Sequence, residues 1–160
     1  MDCGYKLEND DIIISFIKES EKYLKDRPIT YQHGDFHLGN MLITPEGELA
    51  IIDFNRSGYG DPWEEYDRIA FSLNESIDFV NGQIHSYFDY QVQEEFFKLL
   101  SLYNARNLIA SIPWSVHFGE SELEVAYKNA KMVYEAYSGF TAYIPSWYNE
   151  PAVRRKECIE

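Results

Sequence analysis

Residues 33–54 constrain this chain more than any other stretch. His33-Gly34-Asp35-Phe36-His37-Leu38-Gly39-Asn40 is followed by two short β-type runs, Met41-Leu42-Ile43 and Glu48-Leu49-Ala50-Ile51-Ile52, and then by Asp53-Phe54. Pro45-Glu46-Gly47 between the runs supplies turn chemistry, so the pair reads as a hairpin. A hairpin returns Asp53 towards Asn40. A turn and a small β-ribbon thereby gather an Asp, an Asn five residues later and a second Asp. Phosphoryl transfer from a nucleotide needs such groups in that order. One carboxylate orients and deprotonates the acceptor hydroxyl, while an amide oxygen and another carboxylate hold magnesium. An Asp at the end of an apolar strand is otherwise an odd placement, unless a cation or donor meets it.

The rest of the chain is mainly helical in pattern. Apolar residues recur at three and four over residues 10–26, and Pro28 stops that helix. Ile29-Thr30-Tyr31-Gln32 reads as a short strand, 58–62 as a loop, 63–73 as a helix and 84–88 as a shorter one. Residues 92–111 carry apolar side chains around much of the cylinder, which predicts a central buried helix ended by Pro113. A further amphipathic helix over 121–137 stops at Gly139, and an irregular tail follows Pro145.

Composition narrows the partners. Acidic side chains outnumber basic ones 27 to 14, for a net charge of −13, and a nucleic-acid partner needs the opposite balance. The local basic run Arg154-Arg155-Lys156 reads as a solvated tail. No apolar run approaches the ~20 residues that span a bilayer. Cys3 and Cys158 lack disulfide or metal spacing and the first residues are acidic, so a reducing cytoplasm is the expected compartment.

His33-Gly34-Asp35, Asn40 and Ile51-Ile52-Asp53-Phe54 together resemble the aminoglycoside phosphotransferase and choline kinase family, a branch of the protein-kinase-like fold. Arg56-Ser57-Gly58, Gly60-Asp61-Pro62-Trp63 and Tyr66-Asp67-Arg68-Ile69-Ala70 resemble the segment after that family's metal-binding Asp. Ser111-Ile112-Pro113-Trp114 is similar to part of its helical substrate lobe. The resemblance implies an α+β, mainly α fold over residues 1–145, with 146–160 as a tail. It implies Asp35 as catalytic base, Asn40 and Asp53 as Mg²⁺ ligands, and His33 as a supporting loop residue. Asp67 would pin the catalytic loop through backbone hydrogen bonds. ATP or GTP would be co-substrate, and a small-molecule alcohol or amino sugar the acceptor. His37, Asp61, Glu64 and Glu65 are candidate acceptor contacts; Glu120, Glu122 and Glu124 could also meet amino groups if the acceptor is an aminoglycoside.

The resemblance also exposes a gap. No glycine-rich phosphate-covering loop or upstream lysine strand precedes His33, so the N-terminal nucleotide-binding lobe is expected to be absent. The isolated chain is then expected to be inactive, or to work with a missing lobe or as a homodimer. Two other readings stay open. His33, Asp35 and His37 alternate, as ligands of a metal-dependent hydrolase would on one strand face, with Asp53 as a fourth. Alternatively Tyr59, Trp63, Trp114, Tyr143, Trp147 and Tyr148 form the aromatic surface of a non-catalytic binding module.

Overall fold

The computed structural model describes residues 4–151. The expectations for Cys3, Cys158, Arg154-Arg155-Lys156 and the end of the tail lie outside the described residues. Helix α1 spans Asp10–Ser20, with Asp10 and Asp11 in the first turn where the helix dipole favours negative charge. It tightens into a 3-10 turn over Glu21–Leu24. Ile13 is buried, and Phe16 and Ile17 pack beside it against Ala105, Leu108 and Val133.

Four short strands follow. β1 (Thr30–Gln32) pairs antiparallel with β4 (Gly58–Gly60), in the register Thr30↔Gly60, Tyr31↔Tyr59 and Gln32↔Gly58. β2 (Met41–Ile43) and β3 (Leu49–Ile51) form the expected hairpin, Met41 opposite Ile51. Thr44 and Gly47 close the turn, the Gly47 amide donating to the Thr44 carbonyl at 2.9 Å. β4 corrects the loop expected over 58–62. Its two glycines read as turn formers, yet Tyr59 meets Tyr31 across the ladder edge-on, ring centroids 5.6 Å apart. That cross-strand pair recruits the segment into a sheet.

Helices make up the rest. A 3-10 turn over Glu64–Arg68 leads into α2 (Ile69–Leu73), and α3 covers Ile77–Tyr87. α3 is longer than the 84–88 helix expected. Ser76 caps it by accepting the Phe79 amide at 3.1 Å, a start signal hidden behind Asn81 and Gly82. α4 (Glu94–Ser115) is the central helix, with Phe96, Leu99, Leu100 and Leu102 fully buried. It does not stop at Pro113 but carries it in its last turn. Proline's fixed φ suits a helix, and the missing N–H leaves the Ile109 carbonyl without its intrahelical donor. Val116 still donates to the Ile112 carbonyl.

α5 (Glu120–Ala136) ends through Ser138 and Gly139, both left-handed at φ 52° and 68°. The Gly139 amide reaches back to the Tyr134 carbonyl at 2.9 Å, and Ser138 to Glu135 at 3.0 Å. The described residues past Pro145 are irregular but held in place. Asn81 donates to the Trp147 carbonyl and accepts the Asn149 amide, and the His85 ring meets the Asn149 carbonyl. Trp147 and Tyr148 thereby cover the core around Phe96 and Phe97. The result is the mainly helical architecture expected from the sequence, with two small antiparallel β-pairs. Among the described residues no helix is long and apolar enough to cross a membrane.

Candidate functional site

Residues 33–40 form a loop between β1 and the hairpin, and its own side chains give it shape. Gly34 takes φ +80°, and a Cβ there would overlap the Arg56 carbonyl, so the position demands glycine on both counts. His33 is buried and faces inward. The Asp35 amide donates to its Nδ1 at 3.2 Å, which leaves the proton on Nε2 for the Ile52 carbonyl at 2.8 Å. His33 thus ties the loop to the end of β3.

Asn40, also buried, folds back over the loop. Its Nδ2 donates to the Asp35 carbonyl at 2.9 Å and lies 3.5 Å from Asp35 Oδ2. Its own carbonyl accepts the Ile52 amide at 3.0 Å, so Asp53 follows directly on a residue bonded to Asn40. Asp53 is exposed and sits in the left-handed region at φ 65°, a conformation Asp tolerates better than most residues. One of its oxygens accepts the Asn55 side-chain amide at 2.5 Å. The other has no donor among the described residues, nor has Asn40 Oδ1. Two uncommitted oxygens of this kind suit Mg²⁺, a hard cation that keeps waters and shares ligands with phosphates.

Asp35 lines a groove of about 320 Å³ together with His37, Arg56, Arg68, Asn104, Asn107, Trp114, Glu122 and Asn129. Loop, α4 and α5 thus form its walls. His37 stacks on Phe71, its Nδ1 accepts the Gly39 amide, and its Nε2 lies 3.8 Å from Asp35 Oδ2. Arg68 Nε lies 3.5 Å from Asp35 Oδ1 and 3.4 Å from Asp67 Oδ1. Burial pushes the Asp67 carboxyl up to about 6, against the opposing pull of the Arg68 guanidinium.

The acidic residues after the hairpin have jobs other than those expected. Asp67 does not pin the loop through its amides; Glu65 does. Its two oxygens accept the His33 amide at 2.9 Å and the Gly34 amide at 2.7 Å. A carboxylate suits this task because it offers two acceptors to two parallel N–H groups. Asp61 is buried and saturated by Arg27, Tyr103 and the Trp63 amide, so it presents no oxygen to a ligand. Glu64 faces Arg106 at 3.9 Å. Glu65→Gln would turn an NH₂ towards one of the two loop amides. It is expected to cost about 1–3 kcal/mol of stability in denaturant titration, the cost of a buried donor left unmet.

The two rival arrangements do not assemble. His33 turns away from His37, and among the described residues no three His, Cys, Asp or Glu side chains gather closely enough to hold a metal ion. The six aromatic residues scatter as well. Trp63 lies in the core under Arg27, Tyr143, Trp147 and Tyr148 pack against that core, Tyr59 stays on β4, and Trp114 alone lines the groove.

A model of the phosphotransferase enzyme family matches residues 3–96, the stretch that holds the loop, the hairpin and the acidic segment after it. No curated protein matches the chain. Among solved structures it is similar to that of a choline/ethanolamine kinase family protein from Mesorhizobium loti, with a TM-score of 0.65 and 14% identity. The match covers 85% of this chain and 49% of that one, so the chain spans about half the length of that structure.

Proposed function

The chain belongs to the phosphotransferase enzyme family, and from that premise we propose that it forms the acceptor-binding, catalytic half of a small-molecule kinase. Asp35 accepts the proton of an acceptor hydroxyl held in the groove. The acceptor oxygen bonds to the γ-phosphorus of ATP or GTP as the bond to the departing diphosphate breaks, and the hydroxyl proton passes to Asp35. Asn40 and Asp53 would hold the Mg²⁺ ion, which when bound neutralises phosphate charge. His33 and Glu65 keep the loop in the geometry that aims Asp35 into the groove, and His37 stands beside it.

The observation that carries this reading is the double anchoring of Asn40. One bond folds it onto Asp35, and the other seats it next to Asp53, in a loop whose carboxylate opens onto a groove. The reading calls for a nucleotide-binding half beside this one. Ile43 (70% exposed), Leu49 (60%) and Tyr59 (79%) leave apolar surface beside the loop, which supports a contact with such a half or with a second copy.

The test is transfer of labelled γ-phosphate to a panel of alcohols and amino sugars, with and without a chelator. The chain by itself is expected to transfer little, because misplacing a reacting group by about 1 Å already costs ~10²-fold. Transfer should rise when the nucleotide-binding half is supplied and fall when Mg²⁺ is removed. Chelator-resistant transfer, or none even with that half present, would discard the proposal.

A further inference from the structure

Six acidic residues offered themselves for a cationic acceptor: Asp61, Glu64, Glu65, Glu120, Glu122 and Glu124. Only Glu122 lines the groove. Asp61 is locked to Arg27, and Glu65 is spent on the loop amides. Two guanidinium groups line the groove in their place, from Arg56 and Arg68. Asp35, the one other carboxylate there, already faces Arg68 at 3.5 Å, so its charge is partly met before any ligand arrives. Arg56 is different. Among the described residues no carboxylate lies within ion-pair distance of it, and its guanidinium rests 5.6 Å from the Trp114 ring centroid. Its backbone abuts Gly34, next to Asp35 in the chain, so this unpaired cation is anchored close to the proposed base.

Resting on the phosphotransferase reading, we infer that the acceptor is an alcohol carrying an anionic group, a carboxylate or a phosphate, which Arg56 receives while the hydroxyl meets Asp35. Among the groove's charged lining residues Arg56 is the one cation and Glu122 the one carboxylate without an ion-pair partner among the described residues, and it is Arg56 whose backbone abuts the loop that carries Asp35. An anion placed there gains a guanidinium with its fork of donors open. Asn107, whose oxygen holds Arg68 Nη1 at 3.2 Å, keeps the second arginine directed along the same wall.

Three six-carbon polyols that differ in one terminal group test this: gluconate, glucitol and glucamine. Their dissociation constants for the full chain are measured by ligand-observed NMR titration without nucleotide. Gluconate is expected to bind about fivefold more tightly than glucitol, the upper range for a solvent-exposed ion pair. Arg56→Gln should bring gluconate level with glucitol and leave glucitol unchanged, and Arg56→Lys should keep part of the preference. Glucamine binding as tightly as gluconate, a preference untouched by Arg56→Gln, or no measurable gluconate binding would each overturn the inference. Because no transfer step is read, these outcomes are separate from a failure of the kinase reading, which the labelled-phosphate assay detects.

Discussion

Asp35→Asn is expected to lower phosphoryl transfer by roughly 10²–10⁴-fold, the range that positioned proton transfer contributes. The substitution isolates that step because the loop does not depend on the Asp35 side chain for its shape. Asn40 holds the Asp35 carbonyl, His33 takes the Asp35 amide, and Glu65 takes the amides of His33 and Gly34. All four bonds involve backbone atoms or other residues, so they survive the exchange. The side-chain contacts at risk are the long approaches of Arg68 to Oδ1 and of Asn40 and His37 to Oδ2, and an asparagine carbonyl oxygen can face the Arg68 guanidinium in the same way. Thermal unfolding should therefore stay close to wild type while the rate collapses, measured with the nucleotide-binding half present. A rate within tenfold of wild type would remove Asp35 from the role of base.

How much of this was visible in the sequence depends on how far each residue's partner lies along the chain. The loop and hairpin were legible because their decisive bonds are short-range. Asn40 to Asp35 spans five residues, and the β2–β3 turn announces itself through Pro45 and Gly47. The buried helix α4 was legible because its apolar residues surround the cylinder. The acidic segment was not. Asp61, Glu64, Glu65 and Asp67 are chemically alike, and what separates them is set by partners 31 to 42 residues away or across a groove. Glu65 points at loop amides, Asp61 at Arg27 and Tyr103, and no spacing rule distinguishes those fates. The same holds for β4, whose glycines favour a turn until Tyr31 supplies a cross-strand partner.

Arg27→Ala is expected to destabilise the fold by about 3–5 kcal/mol, the cost of leaving a buried charge without its partner. That is a large share of the ~5–15 kcal/mol that holds a domain together. The Arg27 side chain is 14% exposed and that of Asp61 6%. Nε meets Oδ2 at 2.6 Å and Nη2 meets Oδ1 at 3.1 Å, while Tyr103 and the Trp63 amide donate to the same carboxylate at 2.7 and 2.9 Å. The guanidinium also lies 3.8 Å from the Trp63 ring centroid. One residue thus joins the segment before β1, the segment after β4 and α4, beneath the loop that carries Asp35. Burial by itself would raise the Asp61 carboxyl, but Arg27, the Trp63 amide and the Tyr103 hydroxyl outweigh it and hold it below the usual value. A carboxyl depressed on folding stabilises above its unfolded pKa, about 3.9, and that stability is lost as pH falls through the folded value. In Arg27→Ala the largest opposing group is gone and burial pushes the carboxyl up, so the sign reverses. The variant should gain stability relative to wild type as pH falls from 7 towards 4.5. Adding Asp61→Asn should recover part of the loss at neutral pH, because it removes the stranded charge. Equal deficits at both pH values, with no recovery in the double variant, would mean that Arg27 acts through its stacking on Trp63 and not through the ion pair.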